Sequence, residues 1–210
     1  KIDLPPEQVA HCLRQVGVGF MFAPTFPPAM RFAAGPRREI GVRTVFNILG
    51  PLTNPAGAQA QVLGVADAAI GEKMIRVLAR LGCRHALVVH GQDGLDELTL
   101  AGPTLVHELK EGSVRSYTVT PQEAGLPPAS GPALKGGSPQ ENAAAMRAVF
   151  GGDKGPLRDI VLLNSAAALV AADKAPALAE GVPLAARAID SGAALAKLDR
   201  FIEITRSFDS

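Results

Sequence analysis

Two adjacent carboxylates, Asp96 and Glu97, end the acidic run Asp93–Glu97. The run directly follows His85–Val89, an apolar segment typical of a short buried strand. In open α/β sheets, ligand sites lie outside the carboxyl ends of the strands. Mg²⁺ is usually held by one or two carboxylates, while substrate phosphates and water complete its coordination. The run therefore predicts a Mg²⁺ site at Asp96 and Glu97, and the alternative is a solvated acidic loop.

Arg37 and Arg38 offer a second kind of chemistry. On a short helix their side chains point in different directions, so one can face inward while the other is solvated. An inward guanidinium can grip a carboxylate or a phosphate through two parallel hydrogen bonds. The alternative is a surface pair in which Glu39 partly compensates Arg38.

A third candidate is the run Gly136, Gly137 and Ser138, which precedes a predicted helix over Pro139–Val149. Free amide groups at a helix N-terminus favour an anion. An ordinary capped helix start is the alternative, because Ser138 and Glu141 have the spacing of a capping box.

Several motifs of well-known enzyme classes are absent from the sequence. It contains no glycine-rich dinucleotide motif, no P-loop and no G-x-S-x-G nucleophile motif. The histidines lack the spacing of metal ligands, and we interpret them as surface or satisfied core residues: His11, His85, His90 and His107.

The first quarter of the chain predicts one helix and one strand before a proline-rich segment. Pro6–Gln15 has apolar residues at helical spacing, and Gly17 ends it. Val18–Phe22 is a short apolar run typical of a buried strand. At least six prolines between Ala23 and Pro55 favour short helices joined by turns, around residues 29–34, 37–40 and 44–49.

From Gln59 onward, strand and helix patterns alternate. A strand, a helix and a strand are predicted at Ala60–Val65, Ala69–Leu81 and His85–Val89. Thr104–Leu109 and Ser113–Thr120 flank a glycine turn, which predicts a hairpin at the edge of the sheet. The predicted class is therefore α/β, with a mixed, mostly parallel sheet flanked by helices.

The last third of the chain is predicted to be mainly helical. Residues 124–137 are rich in proline, glycine and alanine and predict a loop. Helices are then expected at Pro139–Val149, Asp159–Ala172, Ala175–Ala179, Pro183–Asp190 and Ala193–Ile204.

Composition excludes several classes of partner. The 210 residues carry a formal net charge of +1, which argues against nucleic acid as a partner. No apolar run reaches the length of about 18 residues that a membrane-spanning helix needs. Cys12 and Cys83 are too few for a disulfide framework and fit a reducing, cytoplasmic compartment. The chain begins at Lys1 without a signal-peptide pattern, so we expect it to start inside a longer protein.

One long motif, R-E-I-G-x-R-T-x-F-N-x-L-G-P-L-x-N-P, runs from Arg38 to Pro55. Phe20–Pro24 precedes it, and Val89–Glu97 and Leu162–Ala167 follow it. In this order the segments resemble the anthranilate phosphoribosyltransferases, and the resemblance covers nearly the whole chain. The long central run makes the resemblance highly specific.

The resemblance implies transfer of the 5-phosphoribosyl group of phosphoribosyl pyrophosphate to the amine of anthranilate, in tryptophan biosynthesis. It implies that Arg37 holds the anthranilate carboxylate, that Pro24, Gly50 and Pro51 line the anthranilate tunnel, and that Asp96 and Glu97 bind Mg²⁺ near the pyrophosphate. No catalytic acid or base is implied, because the aniline-type amine is already neutral. Positioning and electrostatic stabilisation are expected to carry the reaction.

The resemblance also implies a fold, shared with pyrimidine nucleoside phosphorylases, in which a small helical domain is hinged to a large α/β domain. On that pattern, residues 1–35 begin the α/β domain, 36–56 are hinge helices of the small helical domain, and 57–210 complete the α/β domain.

Two departures from the family pattern bear on activity. Pro27 stands where the family has a histidine of the anthranilate channel. The family's glycine-rich phosphate loop and two further donor-binding segments have no counterpart in the sequence. We therefore expect the chain as given to be a truncated form with weak or no activity, and we do not expect it to form the family's homodimer.

Two alternative functions stay open. One is an enzyme like the pyrimidine nucleoside phosphorylases, with phosphate as the attacking group. The other is a non-catalytic binding or structural protein of the same fold, which Pro27 and the missing phosphate loop would suit.

Overall fold

The computed structural model describes residues 1–22, 52 and 54–208. The chain divides into two compact units, one of residues 1–57 with 194–210 and one of residues 58–193. The α-helices and strands of the described residues are, in chain order, α1 (Pro6–Val16), β1 (Ala60–Gly64), α2 (Ala68–Arg80), β2 (His85–Gly91), β3 (Thr104–Lys110), β4 (Ser113–Val119), α3 (Pro139–Phe150), α4 (Pro156–Ala171), α5 (Leu178–Asp190) and α6 (Ala193–Ser207). Two short 3-10 helices, Gln122–Ala124 and Gly131–Leu134, lie between β4 and α3.

The short helices predicted between residues 29 and 49 lie outside the described residues. The predicted domain boundaries after residues 35 and 56 stay a prediction. Elsewhere most predicted elements are confirmed to within a few residues, including α1, β1, α2, β2 and α3.

In the first unit, α1 and α6 share a small apolar core. Cys12 and its neighbours on one face of α1 are buried together with Ile204 of α6. Gly17 ends α1 in a left-handed conformation, with φ of 81°, and donates its N–H to the carbonyl of Leu13. The Nζ of Lys197 donates to the carbonyl of Val16 at 2.6 Å, which satisfies another free carbonyl at the end of this helix.

The predicted strand at Val18–Phe22 is wrong. These residues form no strand, and Val18 and Phe20 are 41% and 46% exposed. The rings of Phe20 and Phe22 stack on each other, with centroids 6.3 Å apart. An apolar run becomes a strand only where a neighbouring strand can pair with its backbone, and within the described residues this segment pairs with none.

The second unit is built on a sheet whose described strands lie in the order β1, β2, β3, β4. β1 pairs in parallel with β2, while β2–β3 and β3–β4 are antiparallel. The mixed α/β class is therefore confirmed, although most of the strand pairs among the described residues are antiparallel rather than parallel. Only β1 and β2 are joined by a helix, α2, and such a crossover lets two strands run in the same direction. The chain reverses direction after β2 and again after β3, which makes those two pairs antiparallel.

β2 is an interior strand of the sheet, with β1 on one side and β3 on the other. Successive side chains of a strand point to opposite faces, yet Ala86, Leu87, Val88 and Val89 are all at most 2% exposed. Both faces of β2 are therefore covered. Helix α2 packs on β2 and β3, and helix α4 packs on β1 and β2.

The predicted edge hairpin is confirmed as β3 and β4. Glu111 and Gly112 form its turn, and both have positive φ, 49° and 80°. Two central residues with positive φ define the type I′ turn that suits the twist of a hairpin.

Helices α4 and α5 cross at very short range. A Cβ on Gly181 of α5 would lie 2.8 Å from the Cβ of Ala166 on α4, so only glycine allows this approach. The predicted pair of helices at Ala175–Ala179 and Pro183–Asp190 is wrong, since α5 is one helix with Pro183 inside it. Pro183 deprives α5 of one N–H donor, and the close packing of α5 on α4 keeps the helix continuous through that position.

Candidate metal site

Asp96 and Glu97 lie on the connection between β2 and β3, and both residues are exposed. Their neighbours on either side are anchored to the rest of the unit. Before them, the N–H of Gly91 at the end of β2 donates to the carbonyl of Leu95 at 2.8 Å. After them, Leu98 is 1% exposed and is bound to helix α4. The acid pair is thus a short exposed segment held at both ends.

Asn164 of α4 holds Leu98 through both of its backbone groups. The N–H of Leu98 donates to Oδ1 of Asn164 at 3.0 Å, and Nδ2 of Asn164 donates to the carbonyl of Leu98 at 2.9 Å. Nδ2 also donates to the carbonyl of Ile160, one turn earlier on α4, at 3.1 Å. These three bonds require a single orientation of the amide.

The end of β1 touches the same loop. A Cβ on Gly64 would overlap the carbonyl oxygen of Asp96 and would lie 2.6 Å from its carbonyl carbon. The next residue, Val65, donates its N–H to the carbonyl of Val89 on β2. Nδ1 of His90 donates in turn to the carbonyl of Val65 at 2.8 Å. Asp96 and Glu97 therefore lie at the carboxyl ends of β1 and β2, where the sequence predicts a ligand site.

Asp93, the third acid of the run, is used within the loop. Its Oδ2 accepts from the hydroxyl of Thr99 at 2.8 Å, and its Oδ1 accepts from the N–H of Leu95 at 3.4 Å. Thr99 is buried, and its own N–H donates to the hydroxyl of Thr104. Asp93 is exposed as well, but its carboxylate is bound within the loop, and no such hydrogen bond is described for the side chains of Asp96 and Glu97.

The two exposed carboxylates fit a divalent cation that is shared with a phosphate ligand. Partial shielding of Glu97 from water raises the pKa of its carboxyl group, and the adjacent charge of Asp96 raises it further. Within the described ranges, no cluster of three or more His, Cys, Asp or Glu side chains could hold a metal. A pair of carboxylates with phosphate oxygens and water is a set of ligands that suits Mg²⁺.

The remaining predicted site residues, Arg37, Pro24, Gly50 and Pro51, lie outside the described residues. The anion site considered at Gly136–Ser138 is filled by the protein's own side chains. Ser138 and Glu141 form a complete capping box, and the N–H of Gly137 donates to Oδ1 of Asn142 at 2.8 Å. The capped helix start is therefore the interpretation that the structure favours.

A second cluster of charged residues surrounds the buried ring of His85 on β2. Its Nε2 lies 3.2 Å from Glu108, and its Nδ1 lies 2.8 Å from Asp173. Burial opposes ionisation of Glu108, but hydrogen bonds from Arg115 and Tyr117 outweigh it and hold the pKa of Glu108 below its usual value. His85 is thus a satisfied core residue, as the sequence predicts.

Glu108 also lines a cavity of about 320 Å³ between the sheet and the start of α5. Its apolar wall includes Leu87, Val106, Val170 and the side chain of Leu98. Asp96 and Glu97 do not line this cavity. Leu98 therefore belongs to the core through its side chain and to the acid loop through its backbone.

The sequence pattern identifies the two acids but not the residues that hold them in place. Gly64 and Asn164 carry no motif for a metal site. The signal for Asn164 is an amide within the apolar stretch Ile160–Ala172, because a polar group in such a helix needs partners.

Residues 1–195 match the family described as glycosyl transferase family, a/b domain, and the chain belongs to this family. Among its relatives are enzymes named anthranilate phosphoribosyltransferase. The enzyme of Dehalococcoides mccartyi is 54% identical over 212 residues, which cover 100% of this chain and 62% of the relative. That of Chloroflexus aggregans is 58% identical over 208 residues, which cover 98% of this chain and 61% of the relative.

Solved structures agree with this assignment. Anthranilate phosphoribosyltransferase of Thermus thermophilus superposes with a TM-score of 0.89 at 48% identity and covers 98% of this chain and 61% of that one. The enzyme of Saccharomyces cerevisiae in complex with PRPP and Mg gives a TM-score of 0.87 at 27% identity, with 98% and 59% coverage. The chain spans about 60% of the length of these relatives, and the resemblance drawn from the motifs is confirmed.

Among the described residues, no helix is both long and apolar enough to cross a membrane.

Proposed function

We propose that this chain transfers the 5-phosphoribosyl group of phosphoribosyl pyrophosphate to the amine of anthranilate, with Mg²⁺ bound at Asp96 and Glu97, and that its turnover is weak because Pro27 replaces a histidine of the anthranilate channel and the sequence has no glycine-rich phosphate loop. The observation that carries the proposal is the acid pair, which is exposed and anchored at the carboxyl ends of β1 and β2. The names of the relatives support the choice of substrates, and the yeast enzyme's complex with PRPP and Mg supports the choice of metal.

In the proposed reaction, the anthranilate nitrogen forms a bond to the anomeric carbon of ribose. The bond from that carbon to the pyrophosphate oxygen breaks, and the nitrogen loses one proton to water. Mg²⁺, when bound, neutralises the charge that develops on the leaving pyrophosphate. Asp96 and Glu97 would hold the metal for the diphosphate, and the ribose would develop positive charge as the bond breaks.

The acceptor's carboxylate is assigned to Arg37, and Pro24, Gly50 and Pro51 are assigned to the walls of the anthranilate tunnel. The family resemblance of the run from Arg38 to Pro55 supports these assignments. A guanidinium and a carboxylate form paired hydrogen bonds, which fixes the direction from which the amine approaches the ribose.

We place the protein in the cytoplasm. Cys12 and Cys83 carry free thiols, as expected for a reducing compartment. The near-zero net charge supports small-molecule substrates rather than nucleic acid.

The test is to incubate the chain with anthranilate, phosphoribosyl pyrophosphate and Mg²⁺ and to follow the loss of anthranilate fluorescence, with calorimetry of each ligand in parallel. We expect Asp96→Asn combined with Glu97→Gln to abolish Mg²⁺ dependence. The matched control is Asp153→Asn combined with Glu180→Gln, which removes the same charge from two exposed positions of the same unit.

Retained Mg²⁺ activation in the Asp96 and Glu97 variant would overturn the metal assignment. Phosphorolysis of thymidine by the unmodified chain would support a nucleoside phosphorylase instead. No turnover, together with no heat from either ligand, would support a non-catalytic protein of the same fold.

A further inference from the structure

We propose that Asn164 is a positioning residue for the metal site, and that it acts by holding the backbone of Leu98 next to the acid pair. This inference rests on the proposed function, because it assigns a metal to Asp96 and Glu97. Asn164 itself touches neither carboxylate in the contacts described, so its effect passes through Leu98.

Two backbone anchors flank the acid pair. Leu95 is tied to the end of β2 through the N–H of Gly91, and Leu98 is tied to α4 through Asn164. Asp96 and Glu97 are the two residues between these ties. Fixing both ends of a four-residue segment restricts the directions in which its exposed side chains can point.

The two anchors differ in how far along the chain they reach. The hydrogen bond to Leu95 joins two residues that are four positions apart, at the end of β2 and in the loop that follows it, whereas the bonds to Leu98 come from a residue 66 positions along the chain. Loss of Asn164 would therefore free the loop from α4 while leaving its own turn intact.

Burial of the Leu98 side chain does not replace the hydrogen bonds from Asn164. The side chain of Leu98 is buried in the apolar cavity wall, which fixes the depth of this residue but not the rotation of its peptide groups. The amide of Asn164 pairs with both peptide groups of Leu98, one as acceptor and one as donor. Side chains that hold a metal's ligands in place from behind commonly matter for affinity almost as much as the ligands do.

The experiment measures Mn²⁺ binding to the full chain in the presence of inorganic pyrophosphate, from the electron paramagnetic resonance signal of free Mn²⁺. We expect Asn164→Ala to weaken Mn²⁺ binding about tenfold or more. Asn164→Ser is a second variant, since its hydroxyl can still donate to Ile160 within α4 but does not replace the amide, and we expect a similar loss.

The matched control is Ile189→Ala, which removes a buried side chain of α5 and lowers the melting temperature without touching Leu98 or Asn164. If Asn164→Ala weakens Mn²⁺ binding only because it destabilises the fold, a control variant with the same melting temperature will lose Mn²⁺ affinity to the same extent. We expect the control to bind Mn²⁺ as the unmodified chain does.

Hydrogen exchange read by mass spectrometry gives a second measurement that needs no metal. The peptide that contains Leu98 should exchange faster in both Asn164 variants, while peptides from β2 should not change. Unchanged exchange at Leu98 together with unchanged Mn²⁺ affinity would overturn the proposal.

The failures can be told apart. If the unmodified chain binds Mn²⁺ and the Asp96 and Glu97 variant does not, the metal site stands, and an unaffected Asn164→Ala then overturns the positioning role alone. If the unmodified chain binds no Mn²⁺ with pyrophosphate, the metal assignment and the positioning role fall together.

Discussion

Gly64 and Asp96 are in direct backbone contact, and no side chain larger than hydrogen fits between them. The contact joins the end of β1 to the acid loop that follows β2. It sets the position of Asp96 by shape alone, since a Cβ on Gly64 would collide with a carbonyl group that cannot rotate away like a flexible side chain.

Gly64→Ala should therefore displace the acid pair. We expect Mn²⁺ binding to weaken about tenfold, because the ligands would move as a unit, together with a lower melting temperature. Gly131→Ala is the control, since a Cβ there meets no atom within 4 Å. Mn²⁺ affinity that is equal in the two variants would show that the contact does not position Asp96.

Arg37→Ala should raise the KM for anthranilate at least about tenfold, since loss of a charged hydrogen-bonded contact is worth about 1.5–3 kcal/mol. The KM for phosphoribosyl pyrophosphate should hardly change. Arg38→Ala is the matched control, because it removes the same charge from the next residue. Equal effects of Arg37→Ala on both substrates would remove Arg37 from its proposed role.

The lowered pKa of Asp173 predicts that the folded chain becomes less stable in acid. Its hydrogen bond from Arg84, followed by that with His85, lowers the pKa of its carboxyl group to about 2, and Nζ of Lys110 lies 3.8 Å away. The pKa is lower in the folded state than the value of about 4 in an unfolded chain. Its contribution is therefore complete above about pH 4 and is lost as the pH falls towards 2.

The measurement is the melting temperature of the unmodified chain and of Asp173→Asn as a function of pH. Asparagine tolerates the positive φ of this position, 54°, so the variant removes the charge with little backbone strain. The difference between the two proteins should be constant near neutral pH and should shrink below about pH 4. A difference that does not vary with pH would show that the charge of Asp173 is not responsible.

Glu108→Gln should destabilise the second unit by about 1–3 kcal/mol, the usual cost of disturbing the hydrogen bonds of a buried polar group. Glu108 is 2% exposed and accepts hydrogen bonds from Arg115 and Tyr117 at 2.8 and 2.9 Å. The free energy of unfolding, from denaturant titration, measures the effect. Glu111→Gln, at the exposed hairpin turn nearby, should have little effect; a comparable loss in both variants would mean that burial of Glu108 is not the cause.

Elements with a clear local pattern could be predicted from the sequence. Helix α2 has an apolar stripe, β2 is a short apolar run, and the turn at Glu111 and Gly112 contains the glycine that suits the second positive-φ position of a type I′ turn. In each case the interactions that decide the structure lie within a few residues of one another.

Predictions failed where distant contacts decide the outcome. Val18–Phe22 has the composition of a strand, but pairing is a property of two segments and not of one. Pro183 marks a helix start by its local preference, whereas the close contact of Gly181 with Ala166 keeps α5 continuous.

In the candidate site, too, the features set by local sequence could be predicted and those set by distant contacts could not. The adjacent acids and the preceding strand were sufficient to predict where Asp96 and Glu97 lie. The use of Asp93 within its own loop, and the hold of Asn164 on Leu98, depend on side-chain geometry that spacing does not encode.

The order of the strands has a consequence for how a growing chain acquires this site. In the described sheet each strand pairs with its neighbour in sequence, so the contacts among β1 to β4 are more local than the contact of Leu98 with Asn164, and local contacts form fastest. Asn164 follows Leu98 by 66 residues. During synthesis, Asp96 and Glu97 therefore leave the ribosome well before Asn164, the residue proposed to position them. We expect the chain to become able to bind the metal only late, after the sheet itself has formed.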